Sequence, residues 1–89
     1  MISARRCRVS GRVQGVFFRA TARSRARDYE VCGYARNLPG GDVEVHAEGT
    51  PAAVDALCDW LWEGPPGAAV TAVECQPITP AGYADFTVE

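Results

Sequence analysis

The chain has 89 residues, 47% hydrophobic and 22% charged, with a formal net charge of -2. That composition fits one folded domain over residues 1–89 and excludes a disordered tail or a chain split between two cores. No run approaches the roughly 18 to 20 apolar residues of a spanning helix, and Met1–Arg6 leads into no apolar signal segment, so a soluble, cytoplasmic protein with no membrane partner is expected.

Cys7 to Val13 alternates small or apolar with polar side chains, the period of a strand with one buried face. From Phe17 to about Tyr29, the residues Phe18, Ala22, Ala26 and Tyr29 recur at three- and four-residue spacing, while Arg19, Arg23 and Arg27 share another face. That spacing predicts an amphipathic helix, with its other arginine, Arg25, expected with Arg23 and Arg27 in solvent. Val31 to Arg36 forms a second strand, Leu38-Pro39-Gly40-Gly41 a tight turn, and Val43 to Glu48 a third strand that closes a hairpin. Thr50 and Pro51 then supply a cap and a first-turn proline, Val54, Leu57, Cys58 and Leu61 make one apolar stripe, and Gly64-Pro65-Pro66 ends this second helix. Trp60 and Trp62, beside the stripe, are expected in the core or at its rim. Val70 to Gln76 reads as a fourth strand and Tyr83 to Val88 as a short fifth segment.

An order of βαββαβ with right-handed crossovers interleaves into an antiparallel sheet, strand order 4-1-3-2, with both helices on one face: the ferredoxin-like α+β sandwich. Arg6, Arg8, Ser10 and Arg12 would then face Glu44, His46 and Glu48 across the ladder on the open side of the sheet. His46 is expected there as a solvated partner of arginine. Cys7, Cys32, Cys58 and Cys75 contain no Cys-x-x-Cys pair and His46 is the single histidine, so no zinc-ligand spacing exists and no metal or other cofactor is expected. The four cysteines are expected reduced and mostly buried.

Charge sign is uneven along the chain. Eight of the nine arginines fall between Arg5 and Arg27, while most carboxylates follow from Asp42 onward. A positive field in the N-terminal third suits a small anion better than a polymer, and the acidic total argues against nucleic acid as a partner. The segment Val9 to Arg19 joins a strand to a helix start, where successive main-chain amides lack helical partners and can cradle an anion. Arg19, in the first turn, could meet two phosphate oxygens with its forked guanidinium. No Gly-Lys-[Ser/Thr] ends the loop and no third glycine follows Gly11 and Gly15, so it is neither a Walker loop nor a dinucleotide fingerprint. The same spacing is compatible with a surface arginine beside a turn, and Asn37 with a residue that serves only the following Pro-Gly turn.

Val9-x-Gly11-x-Val13-Gln14-Gly15-Val16-x-Phe18-Arg19 resembles the first signature of the acylphosphatase family. Gly33-Tyr34-Ala35-Arg36-Asn37-x-x-x-Gly41-x-Val43, continuing to Gly49, resembles the second. The likeness continues through Gly64-Pro65-Pro66-Gly67-Ala68 to Gly82-Tyr83-x-x-Phe86, nearly the whole chain. Phe17 stands where many members have glycine. The resemblance implies hydrolysis of a small-molecule acyl phosphate to a carboxylate and inorganic phosphate, without cofactor. It implies phosphate binding by Arg19 with the loop Gln14, Gly15, Val16, Phe17 and Phe18, and orientation of the attacking water by Asn37. Two other readings compete: an RNA-binding module of the same fold, which would need exposed aromatics on its central strands, and a non-catalytic domain that binds a small anion. Nothing in the sequence signals association, and a monomer is expected.

Overall fold

Period-two alternation and two amphipathic stripes become seven elements in the computed structural model, which describes residues 1–89. They are β1 (Ser3–Arg12), α1 (Phe18–Asp28), β2 (Cys32–Asn37), β3 (Val43–Gly49), α2 (Pro51–Glu63), β4 (Ala69–Pro77) and β5 (Phe86–Val88). The β1 strand begins four residues earlier than the alternation suggests, because Ser3 to Arg6 continue the ladder with Gly49 to His46.

The sheet has the order β4-β1-β3-β2-β5. Its first four strands follow the expected 4-1-3-2 antiparallel arrangement of a ferredoxin-like α+β fold. The sheet as a whole is not purely antiparallel. β5 joins the outer edge of β2 in parallel, Gly33 opposite Phe86 and Ala35 opposite Val88, and so covers an edge that would otherwise present unpaired main-chain groups.

Both helices pack on the face formed by Cys7 and Val9 of β1, Val43, Val45 and Ala47 of β3, and Phe86 of β5. From α1 come Phe18, Ala22 and Ala26; from α2 come Val54, Leu57, Cys58, Trp60 and Leu61. Phe18 and Trp60 meet with ring centroids 5.7 Å apart, so this one contact joins the start of α1 to the end of α2. Trp62 lies outside, 56% exposed. The arginines of α1 are less free than a solvated face implies: Arg27 pairs with Asp85 at 3.0 Å, and Arg25 lies 5.8 Å from the Trp60 ring centroid.

The opposite face departs from expectation. Glu44, His46 and Glu48 are buried, His46 to 3% exposure. To pass from β4 at one edge to β5 at the other, residues 78–85 must cross the end of the sheet, and they settle on this face. Ile78 donates its amide to the Ala4 carbonyl, the amides of Ala81 and Gly82 donate to the Glu48 carboxylate, and the Tyr83 ring stands edge-on to His46 at 4.9 Å. His46 therefore has Glu48 as its partner, Nε2 to Oε2 2.6 Å, and stacks on Tyr34 at 5.4 Å; it is not a solvated partner of arginine. Burial works to raise the Glu48 carboxyl, but the two amides and His46 outweigh it and hold it below the usual carboxylate range. Glu44 is likewise pushed up by burial, yet lowered overall by hydrogen bonds from Tyr34 and Arg36 and by the charges of Arg36 and Arg6. Arg8, though opposite Glu44 in register, binds Asp42 instead.

The cysteines are also corrected. Cys7 and Cys75 face each other directly in the β1–β4 register, with Cα atoms 4.0 Å apart, and form a disulfide. Cys32 and Cys58 are the free thiols. The pairing joins residues 68 apart in sequence, so no local spacing announces it. The Cys58 sulfur lies 3.6 Å from that of Cys7, under α2, where burial pushes its thiol up.

Candidate active site

Gly11 begins the site. The β1–β4 register shifts between Ser10 and Gly11, and Gly11 has φ +119°, where an added Cβ would lie 2.2 Å from the Ala69 carbonyl oxygen. Only glycine allows that close approach, and beyond the irregularity the ladder continues, Gly11 opposite Val70 and Arg12 opposite Ala69. Val13 returns to the core at 1% exposure, and Val16 packs against that core from its edge. Between them, the Gln14 carboxamide donates to two main-chain carbonyls of the β2–β3 turn, Leu38 at 3.0 Å and Asp42 at 2.9 Å. Gln14 thus ties the loop before α1 to the hairpin that carries Asn37. Its side chain is spent on that tie.

Gly15 and Phe17 both have positive φ, +76° and +59°. For glycine this conformation is ordinary; for Phe17 it is strained by roughly 1 to 3 kcal/mol. The segment ends with α1 lacking any side-chain cap. Thr21 donates the first helical hydrogen bond, to the Phe17 carbonyl at 3.0 Å, and no amide from Gly15 to Ala20 donates to any protein acceptor. Six successive donors at a helix N-terminus produce a local positive potential without a charged side chain.

Arg19 and Asn37 line a single cleft of about 280 Å³ at this point, together with Val13, Gly15, Phe17, Phe18, Ala20 and Val88. Gly15, Phe17, Phe18, Arg19 and Asn37 are thus brought together, whereas the Gln14 side chain turns to the hairpin and Val16 to the core. Parallel β1 and β2 deliver the β1–α1 loop and Asn37 to the same end of the sheet. Arg19 is half-buried and one of its terminal nitrogens, Nη1, donates to the main-chain oxygen of Glu89. That contact fixes one arm of the guanidinium and leaves its other donors for a ligand.

Val88 and Glu89 are site residues that the motifs did not indicate. The parallel pairing of β5 with β2 places them there, with the Glu89 amide bonded to the Ala35 carbonyl at 2.9 Å. The short apolar segment at the chain end is the one sequence signal that pointed to an additional strand. A larger concavity of about 370 Å³ lies on the opposite face, lined in part by Arg6, Arg8, Glu44 and Glu74. Its arginines already have carboxylate partners, Arg8 with Asp42 and Arg6 with Glu44, so an incoming anion would have to displace them.

The acylphosphatase family profile matches residues 5–88. The chain is 53% identical over 83 residues to an acylphosphatase of Halorhodospira halophila, covering 93% of this chain and 90% of that one. Its structure is similar to that of an acylphosphatase from Coxiella burnetii, with a TM-score of 0.95, 43% identity and coverage of 99% of this chain and 93% of the other. It also matches the acylphosphatase from Bacillus subtilis, with a TM-score of 0.95, 30% identity and coverage of 100% and 99%. With a profile match along almost its full length and relatives matched nearly end to end, the chain belongs to the acylphosphatase family.

Proposed function

We propose that this protein hydrolyses small-molecule acyl phosphates, with the phosphoryl group held by Arg19 and the amides of the β1–α1 loop and the attacking water oriented by Asn37. The observation that carries this reading is the shared cleft: Arg19 and Asn37, from different elements, line it together with Gly15, Phe17, Phe18 and Ala20, whose amides donate to no protein acceptor. Amides and Arg19 together would neutralise the equatorial phosphoryl oxygens, whose charge must be stabilised as the bond to the leaving group breaks. Asn37 can accept a hydrogen bond from water with its Oδ1 and donate through its Nδ2 to a phosphoryl oxygen, which places the nucleophile against phosphorus. The water oxygen bonds to phosphorus, the phosphorus–oxygen bond to the acyl group breaks, and the water proton passes to a phosphoryl oxygen. The departing carboxylate is stable as an anion, so no protein acid has to protonate it. The proposed chemistry uses no metal or other cofactor.

The same reading takes residues 1–89 as one functional unit, monomeric and cytoplasmic. No helix is long and apolar enough to cross a membrane. The Cys7–Cys75 disulfide makes the cytoplasmic placement testable, because a reducing compartment would leave both residues as thiols, of which the exposed Cys75 would be open to alkylation in intact cells. An RNA-binding role is disfavoured by this face of the sheet: the central strands β1 and β3 carry no Phe, Tyr or Trp, and Tyr34 of β2 is buried, so the strands present no aromatic platform for bases.

The decisive experiment is an assay of the purified protein on benzoyl phosphate beside an ordinary phosphate monoester such as p-nitrophenyl phosphate. Selective hydrolysis of the anhydride, unchanged by a chelator, is the expected result. Hydrolysis of neither compound, or inhibition by chelator that added metal reverses, would overturn the reading.

A further inference from the structure

Phe17 is difficult to explain as a structural residue. Its ring is 83% exposed, its backbone is held at φ +59°, where side chains other than glycine are strained, and it makes no contact in the hydrophobic core. Five large hydrophobic side chains are exposed on this protein, Met1, Ile2, Phe17, Trp62 and Tyr83. Of these, Phe17 alone lines the cleft that holds Arg19 and Asn37.

The rest of that lining defines what the ring faces. Val13, Phe18, Ala20 and Val88 make most of the wall apolar, and Arg19 is the one charged group in it. If the phosphoryl group occupies the guanidinium and the amides, as in the function proposed above, the remainder of the substrate must extend from the bridging oxygen along the apolar wall toward the mouth. A mouth edged by an exposed aromatic ring favours a flat or bulky hydrocarbon over a small polar group, because both partners lose apolar surface to water on contact. Strain held at the edge of a binding site is a common accompaniment of function.

We infer that Phe17 determines specificity by packing on the acyl group of the substrate, so that this protein prefers acyl phosphates with an aromatic or bulky apolar acyl group over acetyl phosphate. This inference rests on the proposed acyl phosphate hydrolysis. The contact is remote from the phosphorus atom and is made alike in the ground state and the transition state, so its loss acts on KM more than on kcat.

The test compares kcat/KM for benzoyl phosphate and acetyl phosphate in the wild type, Phe17→Ala, Phe17→Gly and Phe17→Trp. The expected result is a fall of at least fivefold in the benzoyl-to-acetyl ratio for Phe17→Ala and Phe17→Gly, carried by a rise in KM for benzoyl phosphate, with the ratio kept in Phe17→Trp. A fall smaller than fivefold in either truncation, or one carried by kcat alone, overturns the inference while leaving the hydrolase intact. Hydrolysis of neither compound by the wild type removes the parent reading and this inference together. The glycine variant relieves the backbone and the alanine variant does not, so agreement between them assigns the effect to the ring.

Discussion

At the start of α2, Thr50 accepts a hydrogen bond from the Ala53 amide at 3.2 Å and Pro51 occupies the first turn, where its missing N–H costs nothing. At the start of α1, no side chain caps the helix, the residue in the cap position is a strained phenylalanine, and the neighbouring amides have no protein partner. The same four orphan donors of a helix terminus are thus treated in opposite ways within one small protein. The first end has been built for stability. The second has been left open at a cost to stability, and it is the end beside the cleft with Arg19 and Asn37.

That contrast can be broken from either side. The largest effect is expected at the open end, where Arg19→Gln should lower kcat/KM on benzoyl phosphate by at least roughly 10²-fold through loss of the forked contact. Near wild-type turnover would refute the role of the guanidinium. Asn37→Ala is expected to lower kcat by about 10²-fold while competitive inhibition by inorganic phosphate is largely kept. If phosphate inhibition disappears with it, Asn37 holds phosphate and not water. Gln14→Ala should cut turnover by about tenfold, because it frees the loop from the hairpin carbonyls and lets Arg19 and Asn37 drift apart. Unchanged kinetics would show that the rest of the fold already fixes their geometry.

The smaller effects concern stability and have opposite signs. Thr50→Ala removes the cap of α2 and should lower the unfolding free energy by about 1 kcal/mol, with steady-state kinetics little altered. Phe17→Gly relieves the positive φ and should raise stability by roughly 0.5 to 1 kcal/mol, the relief of strain being partly offset by the freedom glycine gains in the unfolded chain. Chemical denaturation read by the fluorescence of Trp60 and Trp62 would check both. If Phe17→Gly proved clearly less stable, the ring would have a structural purpose and the contrast between the two helix starts would fail.

Much of this molecule was legible in local pattern. Alternation in β1 and β3, the three- and four-residue stripes of the helices, and the Thr50-Pro51 start each depend on residues close in sequence, so chain order alone suggested two helices against a four-stranded sheet. The candidate cleft was legible for a related reason: Gly15 and Arg19 belong to one strand–loop–helix passage, and Asn37 closes the next strand. Motif spacing could not show that the Gln14 side chain is occupied by the hairpin, since its acceptors are the carbonyls of Leu38 and Asp42 on another element.

What the amino-acid sequence determined by itself was the identity and order of the elements, the family signatures, and a strand-to-helix loop suited to an anion, because short-range sterics and hydrophobic period act within a few residues of each position. Tertiary structure alone decided that β5 lies parallel to β2 and brings Glu89 to Arg19, that Cys7 meets Cys75, and that residues 78–85 bury Glu44, His46 and Glu48. Each of those outcomes joins groups far apart along the chain, and whether such groups meet depends on how the whole sheet closes.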